Sequence, residues 1–168
     1  MALPLAIIGF MGSGKSTLGK QIAEKKGIGF TDLDRYISES TGRTISSIFK
    51  EYGEERFREI ESQCLHDVLR IPDQVVAMGG GTPCYLNNIE IIKTLSTSVY
   101  LKVSPENLTR RLISSKNPRP LIKGKSQDEL LNYVEQKIKI REEYYLQADF
   151  IIESDQIRVE DLLSLVFV

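Results

Sequence analysis

The stretch GFMGSGKS at residues 9–16 matches the spacing G-x-x-x-x-G-K-[ST] of a phosphate-binding loop. An apolar run at residues 3–8 precedes it, and Leu18, Ile22 and Ala23 recur at helical spacing after it. The loop therefore connects a predicted buried strand to a predicted helix, which is the context that this motif requires. Backbone N–H groups of such a loop, together with the helix N-terminus, can hold a di- or triphosphate. The stretch predicts a protein that binds ATP or GTP.

The second half of the loop supplies the predicted nucleotide and metal ligands. The Lys15 ammonium is placed to neutralise the outer phosphates, and the Ser16 hydroxyl is placed to ligate Mg²⁺. The predicted nucleotide-binding residues of the loop are consecutive in the sequence: Gly12, Ser13, Gly14, Lys15, Ser16 and Thr17. A chance glycine-rich turn is the alternative, but every fixed position of the motif is occupied.

Length and composition indicate a single domain that spans residues 1–168. The chain has 22 Lys and Arg residues against 23 Asp and Glu residues, so it lacks the basic excess that accompanies nucleic-acid binding. The apolar N-terminus has no basic leader, and no apolar run is long enough to cross a bilayer. These features predict a cytoplasmic protein with no nucleic-acid or membrane partner, and they are compatible with a monomer.

Two cysteines and one histidine, residue types that are often catalytic or metal-binding, lack the neighbouring residues that such a role requires. Cys64 and Cys84 are too few and too isolated for a disulfide framework or a metal cluster, which also favours the cytoplasm. His66 is the only histidine, and nothing near it in the sequence indicates a catalytic triad. We therefore expect His66 to be a surface or packing residue.

Strand-like and helix-like segments alternate along the chain. Strands are predicted at residues 3–8, 28–31, 75–78, 98–103 and 149–152. Helices are predicted at residues 15–26, 34–40, 45–52, 54–70, 88–95, 105–114, 127–146 and 159–165. Ser104 before Pro105, and a capping box from Ser126 to Glu129, mark two of the helix starts. The alternation predicts an α/β fold in which helices cover both faces of a parallel sheet.

Residues 114–126 form a polar, cationic segment with prolines and a glycine between two predicted helices. An ordinary surface loop is one interpretation. In a phosphate-loop enzyme, a mobile cationic loop can also act as a lid that brings arginine to a transferring phosphate. We favour the mobile lid.

Two aspartates, Asp32 and Asp34, follow the second predicted strand in the sequence FTDLD at residues 30–34. Residues two apart at the end of a strand share a side, and ligands bind at the carboxyl ends of strands in open parallel sheets. One carboxylate could hold Mg²⁺ through water while the other accepts a proton from an attacking hydroxyl. The alternative is a pair of turn or helix-capping residues.

Arg58 flanks the apolar stripe of its predicted helix. Glu54 and Glu61 lie within one helical turn of it and could orient its guanidinium. A surface helix with ion pairs would give the same pattern.

Arg141 occupies a position within the apolar stripe of its own predicted helix. The other members of that stripe recur at spacings of three and four: Leu131, Val134, Ile138 and Tyr145. An inward arginine needs an anionic partner, which is either a structural carboxylate or a ligand. Arg58 and Arg141 together would suit an anionic small substrate.

Gly79, Gly80 and Gly81 follow the predicted strand at residues 75–78. Three successive glycines are costly in backbone entropy, and a tight turn would need only one or two. We expect them where the backbone approaches a ligand closely.

Taken together, these motifs closely resemble the shikimate kinase family of small phosphate-loop kinases. The matching text covers nearly the whole chain in order: GFMGSGKST at 9–17, FTDLD at 30–34, GRTISSI at 42–48, GEERFREIE at 53–61, GGG at 79–81, RPL at 119–121 and REEYY at 141–145. The loop is shared by many NTPases, whereas the other motifs in combination are much more specific.

The resemblance implies a five-stranded parallel sheet of the nucleoside monophosphate kinase type. It also implies transfer of the γ-phosphoryl group of ATP, with Mg²⁺, to the 3-hydroxyl of shikimate, a step of chorismate and aromatic amino-acid biosynthesis. Substrate-binding helices are expected at about residues 34–61. Asp34 would hold or deprotonate the accepting hydroxyl, and Asp32 would reach Mg²⁺ through water.

The resemblance also assigns the remaining contacts. Arg58 and Arg141 would face the shikimate carboxylate beside Gly79, Gly80 and Gly81. Arg119 would be the catalytic lid arginine on the phosphates, and Arg110 and Gln156 would lie on the adenine side.

Two other functions fit parts of the sequence. A kinase of another small hydroxy acid, such as a gluconate kinase, would share the fold and the phosphate loop. A non-catalytic nucleotide-binding regulator would share the fold, but would have no need to retain Lys15, Asp34, Arg58 and Arg141 together.

Overall fold

A computed structural model describes residues 2–115 and 124–167 of the chain. The strands are β1 (Leu5–Ile8), β2 (Gly29–Asp32), β3 (Gln74–Ala77), β4 (Thr97–Lys102) and β5 (Phe150–Glu153). The helices are α1 (Lys15–Lys26), α2 (Leu33–Thr41), α3 (Ile45–Leu69), α4 (Asn88–Leu95), α5 (Pro105–Ile113), α6 (Gln127–Tyr145) and α7 (Val159–Val166). Each predicted strand is present, with its ends shifted by one or two residues.

The strands form one sheet in the order β2-β3-β1-β4-β5, and every neighbouring pair is parallel. The predicted α/β class and five-stranded parallel sheet are therefore confirmed. The chain leaves β1 toward β2 on one side and leaves β3 toward β4 on the other, so its direction across the sheet reverses there. Ligands bind outside the carboxyl ends of strands at such a reversal.

Strand β1 explains why the phosphate loop has a rigid base. All four of its residues are buried, between β3 and β4. Leu5 and Ile7 pack against α1 and α7, whereas Ala6 and Ile8 face the cluster formed with the other helices. A strand covered on both faces reads as a continuous apolar run, which is the pattern of its sequence.

Helix α3 is broken at Gly53, whose φ of 80° and ψ of 175° are not helical. The sequence predicted two helices that meet at this glycine, and the break confirms them. The second piece carries Arg58 and Glu61 toward the carboxyl edge of the sheet.

Helix α6 begins at the predicted capping box between Ser126 and Glu129. Of the predicted apolar stripe, Val134 and Tyr145 are buried and Ile138 is half-buried. Leu130 is 3% exposed, whereas the predicted Leu131 is only half-buried. Adjacent leucines both fit the helical period when the stripe continues through Val134, so tertiary packing decides between them.

Residues 2–115 and 124–167 contain no helix that is both long and apolar enough to cross a membrane. The predicted lid at residues 114–126 lies mostly outside the described residues, and Arg119 lies wholly outside them.

Candidate active site

The phosphate loop opens a cavity of about 390 Å³ at the carboxyl edge of the sheet. Gly12 and Gly14 have φ values of 83° and 97°, which only glycine adopts without a Cβ penalty. Five of the six predicted nucleotide-binding residues of the loop line the cavity: Gly12, Gly14, Lys15, Ser16 and Thr17. The sixth, Ser13, is buried.

Lys15 is the first residue of α1 and is only 9% exposed. Its ammonium donates hydrogen bonds to the carbonyl oxygens of Gly9 at 2.9 Å and Phe10 at 2.8 Å. The folded loop thus holds a positive charge at a helix N-terminus, where an anion is already favoured.

Asp32 caps helix α2, which was the alternative interpretation of this residue, and it also lies beside Ser16. Its Oδ1 accepts a hydrogen bond from the Arg35 backbone N–H at 3.3 Å and so caps α2. Its Oδ2 accepts a hydrogen bond from the Ser16 hydroxyl, which joins the two predicted metal ligands at the cavity wall. Serine and carboxylate oxygens are hard ligands of the kind that Mg²⁺ prefers.

Asp34 lines the same cavity as Asp32, as expected, but for a different reason. Asp32 ends strand β2, whereas Asp34 lies in the first turn of α2. The strand-to-helix turn, and not strand alternation, brings the two carboxylates to one cavity.

Gly79, Gly80 and Gly81 lie close to neighbouring side chains and backbone. A Cβ on Gly79 would lie 2.8 Å from Thr82 Oγ1 and 3.0 Å from Asp34 Oδ1, and one on Gly81 would lie 3.0 Å from Arg58 Nη2. A Cβ on Gly80 would lie 3.3 Å from the Met11 backbone nitrogen and 3.6 Å, an ordinary contact distance, from Arg141 Nη1. All three φ values lie outside the left-handed region, so limited space and not backbone conformation favours glycine here.

Arg58 is held by a buried network that the sequence revealed only in part. Its Nη1 donates to Glu61 Oε2 at 2.8 Å, and its Nη2 donates to Glu54 Oε1 at 3.1 Å. Glu61 also accepts a hydrogen bond from the Thr82 hydroxyl at 2.7 Å, and the Tyr85 ring centroid lies 3.8 Å from the Arg58 guanidinium carbon. Burial lowers the pKa of Arg58, but the neighbouring glutamates raise it by more, so the cation is retained.

No sequence pattern indicated Thr82 or Tyr85. Thr82 begins a short 3₁₀ turn, Thr82–Cys84, and Tyr85 follows that turn. So short a turn has no hydrophobic period that would have revealed it.

The Arg58 network predicts a stability difference between two glutamates that contact the same arginine. Glu61→Gln should lower the free energy of unfolding by about 1–3 kcal/mol, because it removes the charged partner from a guanidinium with 12% side-chain exposure. Glu54→Gln is the matched control, and a loss below about 1 kcal/mol is expected because the Glu54 side chain is 55% exposed. Urea denaturation measures both, and equal losses would contradict the buried role of Glu61.

Arg141 extends from α6 toward Gly80 and is half-buried. Its guanidinium carbon lies 5.6 Å from the centroid of the Phe10 ring. Within residues 2–115 and 124–167, no carboxylate oxygen comes within 4.0 Å of this guanidinium. Of the two partners considered for Arg141, this arrangement favours a ligand over a structural carboxylate.

The structure separates two adjacent arginines on α5. Arg111 lines the phosphate-loop cavity, and its guanidinium donates to the Gly12 carbonyl at 3.2 Å and to the Asp155 carbonyl at 2.7 Å. Arg110 is exposed and lines a neighbouring surface cavity, and Gln156 is exposed near Asp155. Arg110 stays a predicted adenine-side residue, and no sequence pattern singled out Arg111, which lies on a different face of the helix because the two residues are adjacent.

The two cysteines and the histidine, for which no catalytic or metal-binding role was predicted, do not line the cavity. His66 is half-buried in α3, as expected of a packing residue. Burial raises the pKa of the Cys84 thiol to about 11, although Arg141 and Arg58 oppose the rise, so this thiol stays protonated at neutral pH.

Comparison with known proteins identifies the family. A family model described as shikimate kinase matches residues 11–166. The shikimate kinase of Bacteroides fragilis is 42% identical over 151 residues, which are 90% of this chain and 84% of that protein. The shikimate kinase of Parabacteroides distasonis is 40% identical over 154 residues, which are 92% of this chain and 89% of that protein.

Solved structures agree with these sequence relatives. The crystal structure of shikimate kinase from Bacteroides thetaiotaomicron has a TM-score of 0.95 at 37% identity and covers 99% of each chain. The structure of shikimate kinase from Acinetobacter baumannii in complex with shikimate has a TM-score of 0.85 at 32% identity, covering 99% of this chain and 92% of that chain. The resemblance read from the motifs is thereby confirmed, and this chain belongs to the shikimate kinase family.

Proposed function

We propose that this chain transfers the γ-phosphoryl group of ATP to the 3-hydroxyl of shikimate in the cavity between the phosphate loop and Gly79–Gly81, giving shikimate 3-phosphate. The observation that carries the proposal is the position of two arginines, Arg58 and Arg141, against adjacent glycines beside Asp34 and the loop. Arg141 and Arg58 adjoin Gly80 and Gly81, so a carboxylate would bind at this edge of the cavity while phosphates would bind at the loop. Membership of the family favours shikimate over the acceptor of a gluconate kinase and over a non-catalytic role.

The two arginines would bind the carboxylate of shikimate. Glu61 and Glu54 occupy some of the five N–H donors of Arg58 and fix the plane of its guanidinium. The remaining N–H donors of Arg58 can then bind an incoming carboxylate without the entropy cost of ordering the side chain. Arg141 gains the anionic partner that it lacks within the described chain.

Asp34 would orient the accepting hydroxyl and take its proton as the oxygen attacks phosphorus. Phosphoryl transfer needs positioning and charge neutralisation more than covalent help from the protein. Asp34 is suited to this role because it lies in the wall between the loop and Gly79. Lys15 would exchange its bonds to the loop carbonyls for bonds to the phosphates.

Mg²⁺, when bound with ATP, neutralises charge on the phosphates. Ser16 would ligate it directly, and Asp32 would hold it through water. The hydrogen bond between these two side chains at the cavity wall supports this pair.

A lid and an adenine side complete the proposed site. Arg119 remains our proposed lid arginine, in a lid at about residues 114–126. Arg110 and Gln156 remain proposed adenine-side residues, and the position of Arg111 in the cavity wall adds it to them. Thr17 and the loop glycines would hold the phosphates.

We also propose that the chain acts as a monomer in the cytoplasm, as one domain over residues 1–168 with substrate-binding helices at about residues 34–61. The near-balance of 22 basic and 23 acidic residues supports a protein without a nucleic-acid partner.

The reaction can be tested by ADP release from ATP and Mg²⁺ with shikimate, gluconate, quinate or no acceptor. Stimulation by shikimate alone is expected. Stimulation by gluconate or quinate instead would overturn the proposed acceptor while leaving a kinase, and no stimulation in protein that binds ATP would overturn the proposed transfer.

Arg141→Lys should weaken shikimate binding by about 1–3 kcal/mol, or roughly 5- to 150-fold in Kd. Lysine keeps the charge but cannot make two parallel hydrogen bonds to one carboxylate. Calorimetric titration with shikimate measures the change. Arg56→Lys is the matched control, because Arg56 lies two residues before Arg58 and forms an exposed ion pair with Glu59. An unchanged Kd for Arg141→Lys would refute the bidentate contact.

A further inference from the structure

Tyr145 is the last residue of α6, and its hydroxyl lies beside the three consecutive glycines Gly79–Gly81. The residue is 0% exposed, and its hydroxyl donates a hydrogen bond to the carbonyl oxygen of Gly80. The Tyr145 ring packs 5.0 Å from that of Tyr100, centroid to centroid. A phenylalanine ring would make the same contact with Tyr100, so packing does not explain the hydroxyl of Tyr145.

The bond from Tyr145 acts on the peptide unit between Gly80 and Gly81. A peptide unit is planar, so fixing the Gly80 carbonyl also fixes the direction of the Gly81 N–H. Arg141 lies against Gly80 and Arg58 lies against Gly81, at the distances given above. This one peptide unit therefore lies between the two guanidinium groups proposed to bind the substrate carboxylate.

We propose that Tyr145 is a positioning residue for shikimate: its buried hydroxyl fixes the Gly80–Gly81 peptide and so sets the spacing of Arg58 and Arg141. This inference rests on the proposed function. Tyr145 acts through the Gly80 carbonyl and through Arg141, whose guanidinium lies beside its hydroxyl.

Two further observations fit this role. Tyr145 lies one helical turn after Arg141 on α6, so the bond to Gly80 also docks the part of the helix that carries this arginine. Burial raises the pKa of the Tyr145 hydroxyl by more than the nearby Arg141 lowers it, so the hydroxyl keeps its proton and remains a donor at every ordinary assay pH.

The matched pair Tyr145→Phe and Tyr100→Phe tests the inference. Both tyrosines are buried, at 0% and 3% exposure, and they pack against each other. Of the two hydroxyls, that of Tyr145 donates to the Gly80 carbonyl, and within residues 2–115 and 124–167 that of Tyr100 makes no bond to Gly79–Gly81. Tyr145→Phe should raise KM for shikimate about 3- to 10-fold, the range of one lost neutral hydrogen bond, with KM for ATP unchanged. Tyr100→Phe should change neither constant.

Several outcomes would overturn the inference. These are an unchanged shikimate KM in Tyr145→Phe, a parallel rise in the KM for ATP, or the same rise in Tyr100→Phe. Loss of folding in Tyr145→Phe alone, seen by circular dichroism, would assign the hydroxyl to stability and would also overturn it. Failure of the proposed function is distinguishable, because wild-type protein would then show no shikimate-dependent ADP release.

Discussion

Lys15→Ala should lower kcat for shikimate phosphorylation by about 10²- to 10³-fold, the range seen when one preorganised stabilising group is removed from a transition state. The ammonium is 9% exposed at the start of α1, where little water reaches it to screen the charge. The other cation in the described cavity wall is Arg111, and its guanidinium already donates to backbone carbonyls of Gly12 and Asp155. Arg111 is thus poorly placed to replace the lost charge.

The measurement for Lys15 is steady-state ADP release at saturating ATP, Mg²⁺ and shikimate. Lys20→Ala is the matched control, because Lys20 is an exposed lysine on the same helix. Lys20→Ala should leave kcat within about twofold, as expected of a surface change. Near-normal turnover by Lys15→Ala would show that the loop holds ATP without help from this charge and would refute its catalytic role.

Asp34→Asn should reduce kcat by about 10²- to 10⁴-fold, the usual contribution of a positioned general base. Asparagine keeps the size of the side chain in the turn and its fit against Gly79, but it cannot accept the hydroxyl proton. The loss should therefore appear in the chemical step, while ATP binding stays intact because the loop is unaltered.

Rapid-quench measurement of a single turnover isolates that chemical step for Asp34→Asn. Asp67→Asn, at an exposed position of α3, is the control for the loss of one carboxylate. If Asp34→Asn transferred phosphate at the wild-type rate in a single turnover, Asp34 would be reduced to a contact in the cavity wall.

The sequence was most informative where a motif and a periodic pattern coincide. Helix α1 begins at the lysine of the phosphate loop, and the break in α3 falls at Gly53, because glycine and helical spacing indicate the same boundaries. The fold class followed from the alternation of strands and helices alone.

The details that sequence could not supply depend on contacts between distant elements. The helical pattern favoured Leu131 where Leu130 is buried, and it did not single out Arg111 for the cavity wall, since only the rotation of a packed helix decides which of two similar residues faces inward. The approach of Gly79–Gly81 to a ligand stays a prediction, and the structure adds that a Cβ there would also meet the chain's own residues. Thr82 and Tyr85 were not predicted because their partners, Glu61 and Arg58, lie much earlier in the chain, in helix α3.

The steric origin of the three glycines has a consequence for the evolution of acceptor choice. A Cβ at Gly79 would lie 3.0 Å from Asp34 Oδ1, and one at Gly81 would lie 3.0 Å from Arg58 Nη2. Alanine at either position therefore requires the side chain opposite it to shift. A change of acceptor acid that begins at one of these glycines thus also moves a side chain of the proposed site.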